Sequence, residues 1–291
     1  MQEKISRLIA SLKDCNYVTD YELATTLVLM ENLSRPLLIE GEAGVGKTAI
    51  AAALACARGT ELIRLQCFEG IDVSSAVYEW NYAQQLLWIK LGEKRAGSLS
   101  ESDIYHERFL LERPLLKSIR QDKPPVLLID EVDRADEAFE AFLLEVLSEF
   151  TITVPELGTL QARSIPYVIL TSNGARELSD ALRRRCLFHY VPYPDFEKEL
   201  TILAAHLPDA NLQLLQQITR FVQAARALDI RKRPGVAETI YWARALCGFN
   251  VARLGDSTEI VGSTLSCLFK TTEDRQAMGE QEIESLIATH A

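Results

Sequence analysis

Residues 36–48 read PLLIEGEAGVGKT. The apolar run Leu37–Ile39 is too short for a buried helix and stops at a glycine-rich turn, after which KTAIAAALACAR is rich in alanine. The spacing therefore predicts a strand, a loop and a helix in immediate succession. GEAGVGKT fits G-x-x-x-x-G-K-[ST] at every position, with Gly41, Gly46, Lys47 and Thr48 at the defining places. Such a loop wraps a polyphosphate with backbone N–H groups, and the helix N-terminus adds partial positive charge. Gly41, Glu42, Ala43, Gly44, Val45, Gly46, Lys47, Thr48 and Ala49 are the expected phosphate-binding set. Lys47 is expected to reach the β and γ phosphates and the Thr48 hydroxyl to ligate Mg²⁺. The expected cofactors are ATP and Mg²⁺; no [NT]KxD signal follows that would favour GTP.

Downstream, PPVLLIDEVDRAD at 124–136 is an apolar strand ending in two carboxylates. Asp130 is the expected second Mg²⁺ ligand, and Glu131 the candidate general base for an attacking water. At the end of YVILTSN, Asn173 is the polar side chain placed to orient water and γ-phosphate, although an Asn after a strand also forms turns. LSDALRRRC at 178–186 carries Arg183, Arg184 and Arg185. One of these, Arg185 before Arg184, is a candidate finger acting on a neighbouring subunit's nucleotide. Cations complementing a helix C-terminus are the competing reading. Arg231, Lys232 and Arg233 form a second cluster that could touch phosphate or simply face solvent, and Tyr17 and Val18 are expected adenine neighbours.

The surrounding pattern predicts an α/β fold: a parallel sheet of strands at 37–40, 62–67, 126–130, 167–171 and 188–191, with helices at 48–58, 104–121 and 136–148. FTITVPELGTLQARSIP at 150–166 reads as an inserted hairpin. After YVPYPD only helical spacing remains, giving an expected nucleotide-binding core at 1–193 and a small all-helical domain at 194–291. GEKRAGSLSESD at 92–103 reads as a surface loop, and Asp72 or Ser74 in IDVSSA as a helix cap. YEWNYAQQLLW at 78–88 is either internal packing or a contact surface. Six cysteines without a CxxC pair read as reduced thiols, and the scattered histidines show no metal spacing. A net charge of -10 disfavours sequence-independent nucleic-acid binding. The start lacks a long apolar stretch, and no apolar run approaches the roughly 18 residues of a membrane span, so a soluble, cytoplasmic protein is expected.

The order GEAGVGKT, LLIDEVDRAD, hairpin, YVILTSN, ALRRRC and helical domain resembles a AAA+ ATPase of the MoxR family. The stretches EGIDVSSAVYEWNYAQQLLWIK, IDEVDRADEAFEAFLLE and KRPGVAETIYWARAL look most like its CoxD-type group, associated with maturation of molybdenum-containing hydroxylases such as carbon monoxide dehydrogenase. The resemblance implies an αβα core with a helical lid, a homo-oligomeric ring, expected to be a hexamer, and ATP at subunit interfaces. It also implies a client metalloenzyme and a von Willebrand A partner. Asn173 then matches sensor 1 and Arg185 the finger. The chain departs from the wider family in having Asp133 where Asn is common, and Val236 or Ala237 where a lid arginine falls, leaving Arg233 as the substitute. A nucleic-acid-associated AAA+ ATPase, such as a loader or transposition helper, has the same motor parts and is the competing reading.

Overall fold

The structure, a computed structural model, describes residues 1–93, 104–256 and 258–290. Its contacts group into two compact units. The first comprises Met1–Leu8, Tyr21–Glu40 and Ala51–Tyr190; the second comprises Ile9–Asp20, Gly41–Ile50 and the chain from Val191 onward.

The first unit is built on a parallel sheet whose strands are β1 (Leu37–Gly41), β2 (Leu62–Gln66), β5 (Val126–Asp130), β8 (Tyr167–Ser172) and β9 (Leu187–Val191). Their spatial order is β2-β5-β8-β1-β9, the five strands expected from sequence. All five residues of β5 are buried, which is why VLLID is a continuous apolar run rather than an alternating one. Registers Glu40↔Ser172 and Ile129↔Leu170 bring the carboxyl ends of β1, β8 and β5 to one edge of the sheet. Helices α1 (Gln2–Asp14), α2 (Tyr21–Leu33) and α3 (Lys47–Arg58) lead into and out of β1, and α7 (Glu137–Glu149) follows β5. Asp136 caps α7 by accepting from the Phe139 N–H at 2.8 Å. The expected hairpin is present as β6 (Thr151–Val154) paired antiparallel with β7 (Gly158–Gln161).

The chain between β2 and β5 departs from expectation. It holds a short helix α4 (Val73–Ala76), then β3 (Tyr78–Trp80), α5 (Tyr82–Glu93), β4 (Leu110–Glu112) and α6 (Pro114–Ile119). The single helix expected at 104–121 is instead a 3₁₀ turn, a strand and one short helix, because Leu110–Glu112 pairs antiparallel with Tyr78–Trp80, a partner far away in sequence. Asp72 is the cap: its carboxylate accepts from the Ser75 N–H at 2.8 Å, and these bonds hold its pKa below the usual range. The aromatic stretch 78–88 divides, with Trp80 buried and Tyr82, Leu86 and Leu87 exposed. Most of the loop expected at 92–103 lies outside the described residues.

From Val191 onward the second unit is helical. It contains α9 (Phe196–His206), α10 (Leu212–Ala227), α11 (Val236–Gly248), α12 (Thr258–Thr264), α13 (Thr272–Ala277) and α14 (Glu280–His290). Phe221 and Trp242 meet at 4.9 Å between centroids, inside a core shared with Leu203, Ile218 and Leu246. Beside it the buried Arg226–Glu199 pair is fully bonded: Arg226 Nη1 and Nη2 donate at 2.7 and 2.6 Å, and Thr239 Oγ1 donates to the same carboxylate at 3.0 Å. No described helix is long and apolar enough to cross a membrane.

The expectation of six reduced thiols is corrected: Cys15 and Cys56 are each disulfide-bonded, which nothing in the cysteine spacing signals. Cys67, Cys186, Cys247 and Cys267 are free. Burial pushes the Cys67 and Cys186 thiols up to about 12, Cys67 with further help from Asp130, Asp133 and Glu131. At pH 8 the thiolate, the reactive form, is therefore negligible at both. Iodoacetamide at that pH should leave Cys67 and Cys186 unmodified in the native protein and label both in urea, as read by peptide mass spectrometry; equal labelling in the two states would contradict the burial.

Candidate active site

In the first unit, β5 ends in Asp130 and the chain turns at Glu131 into a left-handed conformation, φ 54 and ψ 50. A non-glycine residue in that region is strained and persists only where its surroundings hold it. Thr171 does so. Its hydroxyl accepts from the Glu131 N–H at 3.0 Å and donates to Asp130 Oδ1 at 2.5 Å, joining β8 to β5 at the sheet edge. Arg64 on β2 donates to Asp130 Oδ2 at 2.5 Å. A carboxylate so placed, 3% exposed and bonded to a cation and a hydroxyl, is suited to hold a divalent metal once phosphates supply the remaining oxygen ligands.

The Glu131 side chain is held from three directions. Asn173 Nδ2 donates to Oε1 at 3.4 Å, while Gln66 Nε2 donates to Oε2 at 3.2 Å and Arg134 Nε lies 2.8 Å from the same oxygen. Asn173 is itself placed by Asp133, whose Oδ2 accepts from the Asn173 and Ala175 N–H groups at 3.1 and 2.9 Å. One carboxylate oxygen thus does the accepting that an amide oxygen would do, while Asp133 Oδ1 is buried without a hydrogen-bond partner.

The arginines of α8 (Asp180–Arg185) separate. Arg183 pairs with Glu40 at 2.6 Å, Arg185 Nε donates to Ser148 Oγ at 2.7 Å, and Arg184 is exposed.

In the second unit the phosphate loop runs from Gly41 into α3. Gly44 and Gly46 take φ values of 82 and 97, conformations that let consecutive N–H groups turn toward one concavity. The Lys47 ammonium lies inside the loop, donating to the Gly41 and Glu42 carbonyls at 2.7 and 2.8 Å. A Cβ on Gly41 would sit 2.3 Å from the Val191 carbonyl oxygen, so that glycine is required by close packing. The loop thus offers what a polyphosphate needs: freed N–H groups, a helix N-terminus and an ammonium.

The start of α11 lies directly on this loop. The Val236 N–H donates to the Gly44 carbonyl at 2.8 Å, and a Cβ on Gly235 would sit 2.6 Å from Gly44 Cα. Arg233, Glu42, Ala43 and Gly44 line one cavity of about 590 Å³. Tyr17 and Val18, half-buried, do not line it, and burial raises the Tyr17 phenol above its ordinary pKa.

A profile of the AAA domain, dynein-related subfamily, matches residues 36–186. The chain belongs to that family. The gas vesicle ATPase GvpN of Haloferax mediterranei is 27% identical over 213 residues, covering 68% of this chain and 59% of the relative. GvpN1 of Halobacterium salinarum is 25% identical over 209 residues with the same coverages. This chain thus spans less than two thirds of the length of either relative. The RuvB Holliday junction branch migration motor of Thermotoga maritima superposes with a TM-score of 0.45 and 16% identity, over 87% of this chain and 69% of that one.

Sequence reasoning missed Arg64, Gln66, Arg134 and Thr171. The first two alternate with buried Ile63 and Leu65 along β2, a pattern that does mark a polar strand face, but nothing in the sequence says that β2 lies beside β5. Among the described residues no group of three or more His, Cys, Asp and Glu side chains is disposed to hold a metal. Thr171→Val, which keeps shape and removes both hydroxyl bonds, should weaken Mg²⁺-dependent ATP binding about 10- to 100-fold, the usual cost of losing a group that orients a metal ligand. Titration calorimetry with and without Mg²⁺ checks this; an unchanged Mg²⁺ dependence would refute the role of Thr171.

Proposed function

We propose that the chain is an ATP-hydrolysing AAA+ chaperone of the MoxR type, acting as a hexameric ring on a client protein. The observation that carries the reading is the strained Glu131 turn, with its carboxylate bonded by Asn173 at the sheet edge where β5 ends. A complete phosphate loop in a chain of the AAA family supports the same reading. In it, Lys47 and the loop N–H groups bind the β and γ phosphates. Thr48 and Asp130 hold Mg²⁺, which when bound neutralises charge on the phosphate oxygens. Glu131 takes the proton of the attacking water, and Asn173 keeps both in line. Arg185, or Arg184, stabilises the developing charge on a neighbour's nucleotide, so turnover depends on assembly. Both are exposed, and Arg185 must first release its bond to Ser148. Tyr17 and Val18 contact adenine, and the helical region from residue 194 is the lid.

The CoxD-like stretches support a molybdenum-containing hydroxylase as client, with a von Willebrand A protein as partner. The names of the two gas vesicle ATPases support a second client class, a gas vesicle protein.

A Glu131→Gln variant given ATP should bind nucleotide without turning it over and hold the ring on its client. Recovery of a molybdoenzyme with a von Willebrand A protein from native lysate is the expected result. Recovery of gas vesicle proteins would replace the client, and recovery of nucleic acid alone would sink the chaperone reading.

A further inference from the structure

The phosphate loop has a cationic neighbour. Within the second unit, the cavity beside Glu42 and Gly44 is also lined by Arg231, Lys232, Arg233 and Lys270. Lys270 is held at the rim, its ammonium donating to the Ser266 and Cys267 carbonyls at 3.2 and 2.7 Å. Glu42 and Glu238 line it too, so the cations outnumber the carboxylates without excluding them.

Three consecutive cations repel one another and have no intrinsic reason to gather at one wall. Buried side chains hold this loop at both ends. Asp274, 2% exposed, accepts from the Arg231 N–H at 2.7 Å through Oδ1 and from the Lys232 N–H at 3.1 Å through Oδ2. Its own N–H donates to Thr271 Oγ1 at 3.1 Å. At the far end Arg226 Nε donates to the Pro234 carbonyl at 2.7 Å while Glu199 anchors its guanidinium. Beyond Pro234 the Gly235–Gly44 approach fixes the spacing to the phosphate loop. Burial alone would raise the pKa of Asp274, but the bonds from Thr271, Arg231 and Lys232 and the charge of Arg231 bring it below the ordinary range. The carboxylate is therefore ionised at neutral pH and compensates the loop's charge from behind its backbone.

We propose that Asp274 is a positioning residue for nucleotide discrimination: it fixes the Arg231–Arg233 backbone so that these cations meet the terminal phosphate of ATP beside the phosphate loop. The inference rests on the ATP reading above and deepens it. ADP lacks that phosphate, so the effect falls on ATP.

The test uses the full chain and compares Asp274→Ala, Asp274→Asn and the exposed double variant Lys232→Ala/Arg233→Ala, with KM and kcat for ATP and dissociation constants for ADP and a non-hydrolysable ATP analogue. Loss of charge-assisted contacts to one phosphate corresponds to about a tenfold change. Asp274→Ala should raise the KM for ATP and the analogue's dissociation constant by about that factor, with ADP affinity and kcat within about twofold. Asp274→Asn retains one accepting oxygen and should fall between, and the double variant should reproduce the ATP-specific loss with Asp274 intact. Equal loss for ATP and ADP, or no loss for either, would overturn the proposal. If Asp274→Ala fails to fold, the double variant decides: unchanged discrimination there overturns it. Wild-type protein that binds neither nucleotide would instead overturn the ATP reading itself.

Discussion

A strand buried along its whole length can carry no charge until it ends. β5 has no exposed residue from Val126 to Asp130, and both neighbouring strands run parallel to it. The carboxylates of β5 and the groups that bond them from β8 are therefore delivered at one carboxyl edge. Asp130 closes β5 there, Thr171 and Ser172 close β8, and Glu40 and Gly41 close β1. Parallel sheets place ligands at this edge because the strand ends are the first positions at which the chain is free to turn outward. Here the turn is so abrupt that Glu131 adopts a left-handed conformation, stabilised by the Thr171 hydroxyl.

The second unit answers a different constraint. Gly44 and Gly235 approach so closely that a side chain on either would collide with the backbone of the other. The cations Arg231, Lys232 and Arg233 stand on the loop just before this contact. That loop is held by backbone hydrogen bonds to Asp274 and Arg226, and Arg231 also lies 3.7 Å from the Glu273 carboxylate. Arg231, Lys232 and Arg233 all line the cavity.

The strand carrying Asp130, the loop carrying Lys47 and the inserted hairpin were all legible in the sequence because each is specified locally, by an apolar run, a glycine spacing or a turn. The pairing of Tyr78–Trp80 with Glu112–Leu110 was not, since no local pattern marks two three-residue strands with a helix between them. Thr171 was hidden inside an apolar strand and Gln66 at the end of another, and only the strand order makes them neighbours of the carboxylates. The arginines of α8 show the opposite limit: their clustering was plain, but their separation into an ion pair, a hydroxyl bond and an exposed side chain depends on what α7 and β1 present to them.

The central claim is that the chain hydrolyses ATP and that Lys47 and a divalent metal are needed for it. The most direct measurement is steady-state phosphate release by wild-type protein and Lys47→Ala, each with Mg²⁺ and with chelator. The account predicts turnover in the wild type only, abolished by the chelator. Turnover that survives in Lys47→Ala, or that proceeds without divalent metal, would contradict it.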